Sequence, residues 1–145
     1  MLDDDYYMRA ALRQAERAFE EDEVPIGAVV ACGGQIIGKG YNQTERLQDP
    51  TAHAEMLAIT AACSYLGSKY LPDCVLYVTV EPCVMCAGAL RWAQLSRVVI
   101  GASEPKTGFL RLGGDILHPK TLMSKGLLED ECAALMTEFF RKKRR

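Results

Sequence analysis

Two short runs, far apart along the chain, constrain this fold most, because their side chains must meet at one point. The first run is Thr51–Glu55 and the second is Glu81–Cys86. Within them, His53, Cys83 and Cys86 offer one imidazole and two thiolates to a tetrahedral zinc ion and leave its fourth position to water. A structural site would fill that position with another protein ligand, so this set is typical of a catalytic zinc site.

The spacing within each run predicts how the side chains meet. Cys83 and Cys86 are three residues apart, so on a helix their sulfurs lie on one face and can share a metal ion. At the start of a helix, the dipole and the free N–H groups also favour the thiolate forms. His53 and Glu55 are two residues apart and reach one point only if their helix directs its N-terminus at the metal. Two helix starts are therefore predicted to converge on the zinc.

Glu55 is predicted to move protons and not to bind the metal. Zinc with two thiolates and a neutral imidazole is formally neutral, so a water molecule that loses a proton there needs a nearby proton acceptor. A carboxylate in a dry pocket has its charged form disfavoured, and it can return the proton as an acid. The two runs therefore predict a zinc-dependent hydrolase with Glu55 as its catalytic residue.

Composition favours one domain over residues 1–145. The chain is 49% apolar, which suffices for one core, and 145 residues are too few for two domains of ordinary size. The N-terminus carries acids where a secretion signal would carry positive charge, and no apolar run is long enough to cross a bilayer. We therefore expect a cytoplasmic protein without a membrane partner. The remaining cysteines are expected to be small buried apolar residues; they are Cys32, Cys63, Cys74 and Cys132.

Apolar periodicity predicts helices alternating with strands. The helical spacing covers residues 4–21, 51–66, 83–94 and a last stretch around 133–140. Strand-like runs cover residues 26–32, 35–42, 74–80, 97–101 and 121–127, of which the first two form a hairpin and the last an edge strand. Thr51 is the expected cap of the second helix, and residues 43–50 and 103–120 are expected to be irregular. The alternation favours parallel pairing of the later strands.

The His-x-Glu and Pro-Cys-x-x-Cys patterns, in this order between a hairpin and a strand, resemble those of the cytidine deaminase-like zinc hydrolases. Within that superfamily the sequence is most similar to the bacterial tRNA-specific adenosine deaminases. The segments that carry this resemblance are Glu23–Val29, Asp49–Glu55, Leu76–Ala89, Lys106–Gly108 and Asp130–Leu135. The pattern departs from many members after Gly108, where Phe109–Gly114 and Pro119–Lys125 replace small residues and an Asn-His-Arg stretch.

The resemblance implies a cytidine deaminase-like three-layer α/β/α fold with a central five-stranded mixed sheet. It implies one zinc ion per subunit, with Glu55 as the proton shuttle and the wobble adenosine of a tRNA as the substrate. It further implies a homodimer whose partner subunit helps to bind the anticodon stem-loop. By position, the implied zinc ligands are His53, Cys83 and Cys86, and the implied substrate-binding residues are Asn42, Ala54 and Pro82.

Other interpretations remain open at this stage. A free-base or nucleoside deaminase, such as a guanine deaminase, shares the Glu-Pro-Cys-x-x-Cys pattern, whereas a non-catalytic zinc scaffold or partner subunit tends to lose the shuttle glutamate that is present here. The net charge of −2 does not decide the partner, although the basic end Arg141–Arg145 favours RNA. His118 is expected to be structural or solvated. Trp92 is expected in the core or at a subunit interface.

Overall fold

A five-stranded mixed sheet forms the middle of the fold in this computed structural model, which describes residues 3–144. The strands are β1 (Gly27–Cys32), β2 (Gln35–Tyr41), β3 (Cys74–Val80), β4 (Arg97–Ala102) and β5 (Leu122–Lys125). Their order is β2-β1-β3-β4-β5. β1 is antiparallel to β2 and β3, whereas β4 runs parallel to both β3 and β5. The predicted hairpin, the parallel pairing and the last edge strand are confirmed.

Helices cover both faces of the sheet, which confirms the predicted α/β/α layers. The helices are α1 (Asp4–Glu20), α2 (Thr44–Leu47), α3 (Ala54–Leu66), α4 (Val84–Ala93) and α5 (Glu129–Lys143). α1 and α5 share one buried apolar cluster with the sheet, and α3 and α4 share the other. Within residues 3–144, none of the helices combines the length and the apolar character needed to span a bilayer.

Close packing of α3 on β2 sets the position of the first ligand run. Gly38 and Gly40 face α3, and a Cβ atom on Gly40 would collide with the backbone of Ala54 and Ala58. The absence of side chains at these two positions of β2 therefore lets the helix backbone approach the sheet directly. His53 immediately precedes α3, so this contact between α3 and β2 also fixes the distance of His53 from the sheet.

The segment between β2 and α3 differs from the sequence-based expectation. Thr51 does not cap α3, because its hydroxyl and its N–H donate to the Asp49 carboxylate at 2.7 and 2.8 Å. His53 occupies the cap position instead. The segment predicted to be irregular also contains α2, where the Glu23 carboxylate accepts two backbone N–H bonds. The Glu23 carboxylate thus satisfies free N–H groups in the first turn of α2, whereas the Asp49 carboxylate only removes Thr51 from the capping role.

Some expectations about single residues are wrong. Cys74 and Cys132 are buried as predicted, but Cys32 and Cys63 are only half-buried. Trp92 was expected in the core or at a subunit interface, and its 75% exposed side chain excludes only the core. The last helix begins at residue 129, earlier than its apolar positions indicate, because three acidic residues occupy its first turn and favour its positive end.

Candidate active site

Two helix starts bring the three predicted zinc ligands together. His53 is the residue that precedes α3, Cys83 is the residue that precedes α4, and Cys86 lies in the first turn of α4. β3 ends at Val80, so a short connection carries the chain from the sheet to the two thiols. One donor atom from each of the three residues lies within 4.8 Å of the others. The predicted convergence of two helix starts is confirmed.

The spacing of the donor atoms fits a tetrahedral zinc ion. The Nδ1 atom of His53 lies 3.7 Å from the Sγ atom of Cys83 and 3.4 Å from that of Cys86. Tetrahedral zinc, with bonds of about 2.3 Å to sulfur and about 2.05 Å to nitrogen, requires nitrogen–sulfur separations of about 3.6 Å. The two distances bracket that value, so the three side chains could hold zinc with little rearrangement.

The two thiols of this cluster have opposite pKa shifts. Hydrogen bonds with Cys86 and His53 lower the pKa of Cys83 to about 4, which makes it a thiolate at neutral pH. The hydrogen bond to Cys83 raises the pKa of the Cys86 thiol, and burial raises it further. A divalent cation favours both thiolate forms, so binding of zinc would release the Cys86 proton.

The backbone carbonyl of Pro50 orients the His53 imidazole. The pKa of His53 is raised, chiefly by its hydrogen bond with Cys83, and a backbone hydrogen bond with Pro50 adds to the effect. Proline has no N–H, so the ring must be the donor of that bond. Because Nδ1 faces the two sulfurs, the donor is Nε2. Such outer hydrogen bonds fix the tautomer and the orientation of metal-binding histidines.

Glu55 lies beside the cluster with a strongly perturbed pKa. Its side chain is buried in the first turn of α3, with 3% of the residue exposed. This burial raises the pKa of Glu55 to about 7. A carboxyl group with a pKa near neutral pH can accept a proton and return it, because neither transfer is steeply unfavourable.

A cavity of about 640 Å³ opens over this cluster. His53, Glu55 and Cys83 line its base, so both the proposed metal position and the carboxylate are accessible from it. The loop after β4 contributes one wall, and α5 contributes another. The lining residues of those walls are Glu104, Pro105, Lys106, Thr107, Met136, Phe140 and Arg144. The arrangement joins a zinc-type donor set and a proton shuttle to a space large enough for an organic substrate.

Known proteins are similar to this chain in sequence. Residues 1–102 match the family described as the cytidine and deoxycytidylate deaminase zinc-binding region. The chain is 46% identical to the tRNA-specific adenosine deaminase of Aquifex aeolicus, over 97% of this chain and 95% of that protein. The chain belongs to the tRNA-specific adenosine deaminase family. Within the described residues, the His/Cys/Cys cluster of this deaminase is a group that could hold the zinc ion of the family.

Solved structures of deaminases share the fold of this family member. A structure from a study of A-to-I editing by tRNA:A34 deaminases matches with a TM-score of 0.84 and 41% identity, over 90% of this chain and 98% of that one. The guanine deaminase of Nitrosomonas europaea matches with a TM-score of 0.82 but 26% identity, over 96% and 85% of the two chains. The fold alone therefore does not separate these substrates.

The residues implied to bind substrate lie around the deaminase cavity but do not line it. Asn42 is 7% exposed, and its side-chain amide donates to the Val24 carbonyl and accepts the Thr44 N–H, each at 3.4 Å. Ala54 is buried in α3, and the buried Pro82 accepts the Phe109 N–H through its carbonyl. Their roles toward a substrate stay predictions.

The position of His118 agrees with a structural role. Its Nδ1 atom accepts the Lys120 N–H at 3.2 Å, within the irregular segment before β5. In the loop where the sequence departs from many family members, residues 109–112 form one short 3-10 turn that buries Phe109 fully, and residues 114–116 form a second.

Sequence reasoning missed the contribution of α5 to the cavity of this family member. Met136, Phe140 and Arg144 reach the site although they follow the ligand runs by many residues. Helical periodicity identifies an apolar face on α5, but it does not indicate which part of the sheet that face covers. The basic end of the chain is the available signal, but in the sequence it indicates only a preference for RNA and not a place at the zinc site. Arg145 lies outside the described residues.

Proposed function

We propose that this protein hydrolyses the wobble adenosine of a tRNA anticodon to inosine and ammonia. The observation that carries the proposal is a His53, Cys83 and Cys86 zinc centre beside a buried Glu55, in a chain similar over nearly its full length to tRNA-specific adenosine deaminases. A non-catalytic scaffold would not require a buried carboxylate at this point. The presence of Glu55 therefore favours an enzyme.

The roles of the residues follow from their chemistry. His53, Cys83 and Cys86 would hold the zinc, which when bound would lower the pKa of water enough to supply a nucleophile at neutral pH. Glu55 would accept one proton of the attacking water and deliver it to the ring nitrogen of the adenine, and it would then pass the proton of the new C6 hydroxyl to the departing ammonia. Each proton removed from water thus reappears on the base or on the leaving group, and Glu55 ends in its starting form.

The mouth of the cavity suits a base that has left an RNA loop. Lys106 and Arg144 line it with two cations, and Phe140 adds an aromatic ring that is 41% exposed. Proteins read unpaired RNA bases by stacking them on aromatic rings, and they hold the phosphates with basic side chains. These features support a flipped nucleotide as substrate more than a small free base, which needs no phosphate contacts.

The substrate is tested by ammonia release from an anticodon stem-loop, adenosine, cytidine and guanine in parallel. We expect kcat/KM for the stem-loop to exceed that for each small compound by about 100-fold or more, because binding energy from the rest of the RNA orients the reacting base. A stem-loop with guanosine at the wobble position is the matched control and should release no ammonia. If guanine were the best substrate, the enzyme would be a free-base deaminase.

The two cations at the cavity mouth should contribute to RNA affinity through phosphate contacts. Replacing Lys106 and Arg144 by glutamine should flatten the plot of log affinity against log salt by about 1.4, since each phosphate contact to a single strand contributes about 0.7 to the slope. Binding of the stem-loop across a salt series measures this change. Lys69→Gln, at an exposed position just beyond the far end of α3, is the control. Equal slopes in all proteins would exclude phosphate contacts by this pair.

We further propose that the enzyme acts in the cytoplasm as a homodimer, with each subunit forming one domain. Val84, Met85 and Trp92 expose 40, 37 and 75% of their surface on α4, the helix that begins at the zinc centre. An exposed apolar patch is typical of a protein interface. Sedimentation should give about twice the 16.0 kDa mass of the chain, and Trp92→Asp should shift it toward the monomer. A monomeric wild-type protein at micromolar concentration would refute the dimer.

A further inference from the structure

Glu81 anchors the loop that forms one wall of the cavity. The residue is 7% exposed, and its carboxylate accepts the Glu104 N–H at 3.1 Å and the Leu110 N–H at 3.0 Å, one at each oxygen. These donors stand at the two ends of the loop that carries Lys106 into the cavity. Gly108 completes the fit, because a Cβ atom there would overlap the Glu81 carboxylate. One side chain therefore holds both ends of the wall.

Glu23 anchors the segment on another side of the zinc centre in the same way. It is 1% exposed, and its carboxylate accepts the Glu45 N–H at 3.1 Å and the Arg46 N–H at 2.7 Å. Residues 44–50 form a second depression together with His53. Again a buried carboxylate, remote in sequence, binds two backbone donors of a segment that borders the site.

We propose that Glu23 and Glu81 are positioning residues that hold the two loops beside the zinc centre in the shape that accepts the RNA. Neither residue belongs to the zinc cluster or to the proton shuttle. An ionised carboxylate suits this task because it accepts several hydrogen bonds and donates none. A glutamine in its place would direct an NH₂ group at one of the two N–H donors and leave that donor unsatisfied. The role of the two loops in accepting RNA rests on the proposed function, whereas their anchoring by Glu23 and Glu81 does not.

Backbone hydrogen exchange tests the anchoring without reference to activity. Glu81→Gln should accelerate exchange of the residue 104 and 110 amides by about tenfold or more, and leave those of residues 45 and 46 unchanged. Glu23→Gln should give the reverse pattern. Glu20→Gln, at an exposed position on α1, is the control and should change neither loop. General loss of stability would accelerate both loops in both variants, and that result would overturn the proposal.

Kinetics on the anticodon stem-loop test the consequence for the reaction. We expect Glu23→Gln and Glu81→Gln to keep one zinc per chain and to lose about tenfold or more in kcat/KM, mainly through a higher KM, because the loops position the RNA and not the attacking water. Gly108→Ala, whose Cβ atom would overlap both the Glu81 carboxylate and the Glu104 carbonyl without changing any charge, should likewise raise KM. Full activity of all three variants beside an active wild type would overturn the positioning role. A wild type inactive on the stem-loop would instead refute the proposed function, and the exchange pattern would still decide the anchoring.

Discussion

Replacement of Glu55 by alanine should leave zinc in place and lower kcat by about 10²–10⁴-fold, the usual cost of removing a general acid and base. The reason is that in the proposed mechanism Glu55 moves the protons, whereas His53, Cys83 and Cys86 would bind the metal. The measurement pairs the zinc content of the purified protein with single-turnover deamination of the stem-loop. Stoichiometric loss of zinc in this variant would show that Glu55 is a ligand and contradict its assigned role.

The pH profile gives a second readout for the same residue. With a pKa of about 7, Glu55 is mainly ionised above neutral pH and mainly protonated below it. Only the ionised form can take the first proton, so kcat/KM of the wild type should fall as pH decreases through 7, by about tenfold per unit well below it. In Glu55→Ala that acidic limb should disappear. Persistence of the limb would assign it to another group.

Replacement of Cys83 or Cys86 by serine should remove most of the bound zinc and reduce the yield of folded protein. A hydroxyl is a poor ligand for zinc compared with a thiolate, and the cluster ties the start of α3 to the start of α4, so metal affinity and folding are coupled. We expect a drop in zinc affinity of about 100-fold or more, beyond the range for losing an outer hydrogen bond. Competition with a chromogenic chelator measures it.

Cys63→Ser is the matched control for the two ligand variants. Cys63 lies on α3, is half-buried, and packs beside the apolar cluster away from the zinc ligands. Its replacement should leave the zinc content unchanged. If all three serine variants lost zinc equally, the effect would report a general sensitivity of the fold, and the assignment of Cys83 and Cys86 as specific ligands would fail.

Each half of the zinc centre was predictable from the sequence because its geometry is local: Cys83 and Cys86 need only one helical turn to share a metal, and His53 needs only a helix start. The meeting of the two halves was predicted from the chemistry of their donor atoms and not from spacing. The strands were predictable for a similar reason, since β3 and β4 are nearly continuous apolar runs covered on both faces. Periodicity encodes these features directly.

The surroundings of the centre were less predictable because they depend on contacts between distant segments. α2 forms where Glu23 accepts N–H bonds from a segment more than twenty positions later in the sequence. No local sequence pattern predicts this pairing. Thr51 looked like a helix cap, but the nearer Asp49 takes its hydroxyl. Phe140 and Arg144 reach the cavity only because α5 packs on β4. Helix and strand propensities describe single segments, so they do not predict contacts between segments that are distant in sequence.

The wall that α5 contributes to the cavity has a consequence for the order in which this enzyme matures. Synthesis proceeds from the N-terminus, so the ribosome releases every zinc ligand, ending with Cys86, before it releases Phe140 and Arg144. At translation rates of about 5–20 residues per second, some seconds separate the two events. The residues that could hold the metal are thus synthesised while the chain still lacks the wall that α5 supplies. The cavity over them is complete only once the final helix has packed on the sheet.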